Sequence, residues 1–153
     1  MPNKTLGKLV VARNKRAFFQ YEISDRFEAG IMLEGSEVKA LRHIQASLNE
    51  AHADFKNGEL YLFNLHIISY NHGLKYKAPE PKRPRKLLLH KREINRIHGA
   101  VQRKGYALVA LSLYFTTNGL AKIELGLGKG KKLHDKREAI KERDWKRRQA
   151  ALS

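Results

Sequence analysis

The chain of 153 residues contains no cysteine. That absence excludes disulfides, a thiolate nucleophile and sulfur-ligated zinc. No apolar run approaches the roughly 18 residues that a membrane-spanning helix needs. The opening residues, Met1-Pro2-Asn3-Lys4-Thr5-Leu6, carry no apolar stretch of the secretory kind. Asn3-Lys4-Thr5 has the form of a glycosylation acceptor, but without a secretion signal it is a chance match. Together these absences lead us to expect a reducing, cytoplasmic setting. Catalytic patterns are also missing. No two of the seven histidines stand in a His-Glu-x-x-His arrangement. Gly126, Gly128 and Gly130 precede Lys131-Lys132, but the spacing is wrong for a phosphate loop and no Ser or Thr follows the lysine to hold magnesium. No carboxylate pair is singled out by spacing. We therefore expect no enzyme, no cofactor and no metal ion.

Positive charge is abundant. There are 31 Lys and Arg against 15 Asp and Glu, a formal net charge of +16. Such an excess speaks about partners rather than fold. It is also segregated. Residues 1–16 carry +5, residues 17–73 carry −4, residues 74–92 carry +7, residues 93–128 carry +2 and residues 129–153 carry +6. Solubility alone does not require that segregation, whereas oriented contact with a polyanion does.

Hydrophobic patterning reads mainly as β. Phe18-Phe19-Gln20-Tyr21-Glu22-Ile23 is rich in strand formers, and Ala29 to Leu33 is a short apolar run. Asn57-Gly58 is a hairpin signal, because both residues tolerate the positive φ of a type I′ turn. A second hairpin centres on Asn118-Gly119. Leu108, Val109, Leu111, Leu113 and Phe115 lead in, and Leu120, Ile123, Leu125 and Leu127 lead out. Their apolar density predicts central, well-buried strands. Ser36 is placed to cap a helix with Val38, Leu41 and Ile44 on one face. A second helix begins near Leu89 with Ile94, Ile97 and Val101 on one face; Gly99 can split it, and Gly105 is placed to end it. Many short strands with few helices predict an all-β fold with short helices, closed as a small barrel.

From Gly130 onward the chain changes. Leu133, Ile140 and Trp145 are the large apolar residues before Leu152, and helical periodicity does not bring all three to one face. Glu142–Lys146 and Asp144–Arg148 are favourable i,i+4 pairs and Glu138–Lys141 an i,i+3 pair, each worth about 0.2–0.5 kcal/mol. That is too little to order so short a helix alone. We expect two units, residues 1–129 as the barrel and residues 130–153 as a basic tail, disordered when free and helical when bound.

RNA is the polyanion the residues suit best. In Pro79-Glu80-Pro81-Lys82-Arg83-Pro84-Arg85-Lys86, prolines stiffen the chain between cations, and a guanidinium fork suits phosphate. Asn14-Lys15-Arg16 is a second basic candidate. Tyr70, His72, Tyr76 and Trp145 can stack on unpaired bases. Solvated loops, core tyrosines, a general RNA chaperone and an RNA-modifying or RNA-cleaving enzyme stay open at this level.

Seven segments in this order resemble the small protein B family, the tmRNA-binding (SsrA-binding) proteins of bacterial trans-translation. They are Asn14-Lys15-Arg16-Ala17, Phe27-Glu28-Ala29-Gly30, Gly35-Ser36-Glu37-Val38-Lys39-Ala40-Leu41-Arg42, Arg85-Lys86-Leu87-Leu88-Leu89, Gly105-Tyr106, Leu111-Ser112-Leu113-Tyr114-Phe115, and Gly130-Lys131-Lys132-Leu133-His134-Asp135-Lys136-Arg137. The resemblance implies a closed six-stranded Greek-key barrel related to the OB-fold. It implies that the chain binds the tRNA-like domain of tmRNA and delivers it to stalled ribosomes. The implied partners are tmRNA, the 16S rRNA of the decoding centre and mRNA channel, and elongation factor Tu through the tmRNA complex. Asn14, Glu28 and Leu88 match family positions associated with tmRNA. Gly130, Lys131, Lys132, His134, Asp135, Lys136 and Arg137 match the tail motif that acts on the ribosome, and Ile140 and Trp145 extend it. The basic stretch Lys75-Tyr76-Lys77-Ala78, in the loop from Asn71 to Pro81, departs from the family pattern.

Overall fold

The computed structural model describes residues 9–43, 46–68, 80–103, 105–131 and 133–152. In chain order, β1 (Leu9–Arg13) leads to α1 (Lys15–Gln20), β2 (Tyr21–Ile31), α2 (Gly35–Arg42), β3 (Ala46–Ser47), β4 (His52–Lys56) and β5 (Glu59–Phe63). Then follow β6 (His66–Ile67), β7 (Arg85–Leu88), α3 (Lys91–Val101), β8 (Tyr106–Phe115), β9 (Ala121–Gly130) and α4 (Leu133–Leu152). The chain is thus mostly β with helices between and after the strands.

Six strands pair in a closed ring. The order β8-β4-β5-β7-β2-β9 returns to β8 through the β8–β9 pairing, and β1 is added outside the ring on β8. β3 and β6 form a separate two-stranded ladder. The period-2 pattern explains the ring. Phe27, Ala29 and Ile31 of β2 and Ile123, Leu125 and Leu127 of β9 alternate inward, while Arg26, Glu28, Lys122 and Glu124 alternate outward. Leu41 of α2 and Ile97 of α3 are fully buried in the same core.

The Asn57-Gly58 hairpin forms as expected, with φ of 54° and 78° and Lys56 paired to Glu59. The second hairpin is longer. Residues 116–120 separate β8 from β9, Gly119 alone among them has positive φ, at 79°, and Thr116 N–H donates to the Leu120 carbonyl at 2.9 Å. Leu120 therefore sits exposed in the loop rather than in the strand.

Four local expectations are corrected. The run from Phe18 to Ile23 is a helix end followed by a strand. Asn14 starts α1, its Oδ1 accepting the Ala17 N–H at 3.2 Å, and buried Ala17 holds it against aromatic strand propensity. Ser36 does not cap α2. The helix begins two residues earlier than that cap requires, with Glu34 at the N-cap, because Glu37 reaches back to accept the Glu34 N–H at 2.9 Å. Gly99 does not split α3, which runs unbroken. Gly105, at φ 85°, does not end that helix but makes the turn into β8.

Candidate nucleic-acid interface

On the outer side of the ring, a second apolar cluster lets α1 lie on the sheet. Ala17, Val109 and Leu111 are buried there against Tyr21, Ile23 and Ala107. Glycines of β9 leave room for the side chains of this cluster on the neighbouring strands. A Cβ at Gly126 would lie 2.8 Å from Leu111 Cδ1, and one at Gly128 would lie 2.8 Å from Tyr21 Cβ. Asn14 then pins the helix. Its Nδ2 donates to the Ala110 carbonyl at 2.9 Å and its own N–H to the Leu111 carbonyl at 2.8 Å. At 3% exposure its side chain is consumed by these bonds and is not presented to a partner as the sequence reading expected. Lys15 and Arg16, on the helix it pins, are exposed.

Beside α1, the outward residues of β8, β9 and β2 form one polar face. Register sets Glu28 opposite Glu124, Gly30 opposite Lys122, and Tyr114 opposite Lys122. The Tyr114 hydroxyl crosses β9 to donate to Glu28 Oε2. Burial, then the Glu28 hydrogen bond and the charges of Glu28 and Glu124, push the phenol well above its ordinary pKa, so it stays a donor. Arg26 pairs with Glu124 at 3.2 Å, and its guanidinium lies 5.4 Å from the centre of the Phe18 ring, itself 45% exposed.

Two shallow grooves flank this face. One, of about 570 Å³, is lined by Arg13, Lys15, Phe18, Arg26, Tyr114 and Glu124 among others. The other, of about 510 Å³, is lined by Glu28, Leu88, Leu89, His90, Glu93 and Lys122. Leu88 is 51% exposed and lies over Gly30, where an added Cβ would meet its own Cβ at 3.3 Å. The sequence-derived sites Glu28 and Leu88 are therefore brought to one groove.

Arg85 overturns an expectation. It is 0% exposed. Its Nε reaches Glu37 Oε2 at 2.8 Å, its Nη2 also meets Oε2, and Nη1 donates to the Leu65 carbonyl at 2.6 Å. A guanidinium so enclosed has no route to a phosphate. Arg83 is drawn to the same acid, with Nε 3.2 Å from Oε2 and Nη2 on Oε1. Glu37 is buried, which alone would raise its pKa. The bonds from Arg83, the Glu34 N–H and Arg85 outweigh that and hold it below the usual carboxylate value. Lys86 stays partly exposed and pairs with Glu59 at 3.3 Å.

The tail motif begins inside the sheet. Gly130 is the last residue of β9, paired to Tyr21. Lys131 donates its N–H to the Gln20 carbonyl at 2.9 Å and its Nζ to the Phe18 carbonyl at 3.1 Å, capping α1 with a cation. Lys132 lies outside the described residues, as do Tyr70, His72, Tyr76 and residues 71–79 of the loop. His134, Asp135, Lys136 and Arg137 form the first turns of α4. Farther along, Ile140 is exposed, Trp145 is 58% exposed, and Glu142 pairs with Lys146 at 3.3 Å.

Sequence reasoning missed Arg13, Phe18, Arg26, Tyr114 and Lys122. The parity of β2 carried a signal for Arg26, which shares the face of Glu28. Among the described residues there is no helix long and apolar enough to cross a membrane and no group of three or more candidate metal ligands.

Comparisons with known proteins agree across nearly the whole chain. The SmpB protein family matches residues 11–152. An SsrA-binding protein of Rickettsia bellii is 54% identical over 145 residues, covering 95% of each chain. One from Sphingopyxis alaskensis is 56% identical over 140 residues, covering 92% of this chain and 86% of its own. A solved structure described as "tmRNA-SmpB: a journey to the center of the bacterial ribosome" superposes with a TM-score of 0.68 at 47% identity, covering 84% of this chain and 92% of the other. Family match, relatives and fold coincide, and the chain belongs to the SmpB protein family.

Proposed function

We propose that this chain binds the tRNA-like domain of tmRNA and carries it to stalled ribosomes for trans-translation, so that incomplete products are tagged for degradation. The observation that carries the reading is the exposed groove that joins Glu28, Leu88 and Lys122, on a polar face whose second groove is lined by Arg13, Lys15 and Arg26. A carboxylate accepts hydrogen bonds from base amino groups or ribose hydroxyls, an exposed leucine packs a sugar or base, and the cations meet phosphate. The SsrA-binding relatives and the solved tmRNA-SmpB structure support it. In this reading the six-strand ring is a closed OB-like Greek-key barrel, and elongation factor Tu joins through the tmRNA complex in the cytoplasm. No chemistry is assigned to the protein.

The tail acts separately. The part of α4 with described side chains offers no buried apolar face, so we propose that it melts in the free protein and refolds in the empty mRNA channel near 16S rRNA. Lys132, His134, Asp135, Lys136 and Arg137 would meet the ribosome first, with Ile140 and Trp145 deeper along the helix.

Purifying the tagged chain from cells and sequencing the bound RNA tests the reading. One dominant tRNA-like species is expected. A broad mixture of structured RNAs, with uniformly steep salt dependence, would instead mark a general RNA chaperone. Removing residues 132–153 is expected to leave tmRNA affinity intact and abolish tagging.

A further inference from the structure

We propose that Tyr114 is a positioning residue for RNA recognition, its hydroxyl fixing the Glu28 carboxylate as an oriented acceptor. The inference rests on the tmRNA-binding reading above and assigns a role to a residue that touches the other groove. Tyr114 is buried, so packing sets its ring, while Glu28 is exposed on β2. The hydroxyl spans β9 and holds Oε2. Among the described residues the Glu28 carboxylate makes no second hydrogen bond or ion pair, which leaves Oε1 for a donor on the RNA. An unheld glutamate at a surface samples many rotamers, and ordering it on binding costs affinity; a donor already in place removes that cost. The bond also joins the two grooves. Tyr114 lines the one beside Phe18 and Arg26, and Glu28 lines the one beside Leu88. The strongly raised phenol keeps the donor protonated throughout the working pH range.

A phenylalanine fills the same space without the hydroxyl, so Tyr114→Phe removes the bond to Glu28 and keeps the ring. The test is a double-mutant cycle on the full chain with the tRNA-like domain of tmRNA as probe. Tyr114→Phe is expected to weaken binding about tenfold, the scale of a hydrogen bond to a charged group. Glu28→Ala weakens it at least as much, and the double variant is expected to match Glu28→Ala within about twofold. If Tyr114→Phe still weakens binding tenfold in the Glu28→Ala background, its role is structural and the proposal is wrong. Glu28→Asp, which keeps the charge but retracts the carboxylate from the hydroxyl, provides a second arm without touching the buried ring. It should lose about as much as Tyr114→Phe, and full affinity in Glu28→Asp would overturn the idea. Binding by the parent chain with an unaffected Tyr114→Phe sinks this inference alone. No binding by the parent chain sinks the tmRNA reading with it.

Discussion

Glu37 and Glu28 are two carboxylates in a chain of strongly positive charge, and they do opposite work. Glu37 is enclosed, with Arg83 and Arg85 on its two oxygens and the Glu34 N–H on Oε1. Glu28 is exposed, and the bond described for it comes from one buried phenol. The difference teaches how to read a basic sequence. Cations that meet a buried acid are spent on the fold, and cations beside an exposed acid remain for a partner. Arg83 and Arg85 belong to the first kind, and Lys122, in the groove of Glu28, belongs to the second.

The largest expected effect breaks the buried side of that comparison. Glu37→Ala leaves the Arg85 guanidinium buried without its counter-charge, which typically costs about 3–5 kcal/mol. Urea unfolding measures it. The comparison predicts that whatever fraction remains folded binds RNA normally, because none of these groups lines the exposed grooves. An RNA defect exceeding the loss of folded protein would show that Glu37 also serves the interface.

The same acid gives stability a pH dependence of known sign. In the folded chain Glu37 sits below the ordinary value of 4.5, so the folded state binds its proton less readily than the unfolded state does. Its contribution is therefore fully present above about pH 4.5 and is lost as pH falls through the folded value. Urea midpoints measured from pH 7 to pH 3 should decline at the acid end, and Glu37→Gln should flatten that decline.

The fold was legible where signals are local. Asn57-Gly58 announces its hairpin, and the alternation in β8 and β9 announces their burial, because turn chemistry and period-2 patterning act over a few residues. Residues distant in sequence were illegible. Arg85 lies 48 positions from Glu37, and nothing local says which cation of a basic run will receive a buried acid. Tyr114 lies 86 positions from Glu28, and its role depends on β9 passing between them. Glu28 itself was readable through family resemblance alone, since charge argues against an acid at an RNA surface. In α1, the Asn14 cap won over a run of aromatic strand formers.

A smaller effect probes how the outer apolar cluster packs on β9. In Gly128→Ala the new Cβ would meet Tyr21 Cβ at 2.8 Å, an atom fixed to the backbone of β2. Overpacking of this kind costs about 1–3 kcal/mol. Gly126→Ala should cost less, because its nearest neighbour is Leu111 Cδ1, the far end of a side chain that can rotate. Comparing their thermal midpoints tests whether backbone contact, rather than volume alone, requires these glycines. Equal losses would favour volume.

The smallest effect on stability belongs to the exposed side. Arg26 pairs with Glu124 at 3.2 Å, but both side chains are solvated, and exposed pairs of this kind are worth about 0.2–1 kcal/mol. Arg26→Ala should therefore hardly move the unfolding midpoint. Its effect on tmRNA should be larger, since the change removes a cation from the groove and releases Phe18 from its guanidinium. If Arg26 meets a phosphate, the slope of log affinity against log salt falls by about one. If it stacks on a base instead, affinity falls with the slope nearly unchanged. A variant that lost stability and kept RNA affinity would place Arg26 with Arg85 among the cations spent on the fold. It would also erase the division drawn between the cations of buried Glu37 and those on the face of exposed Glu28.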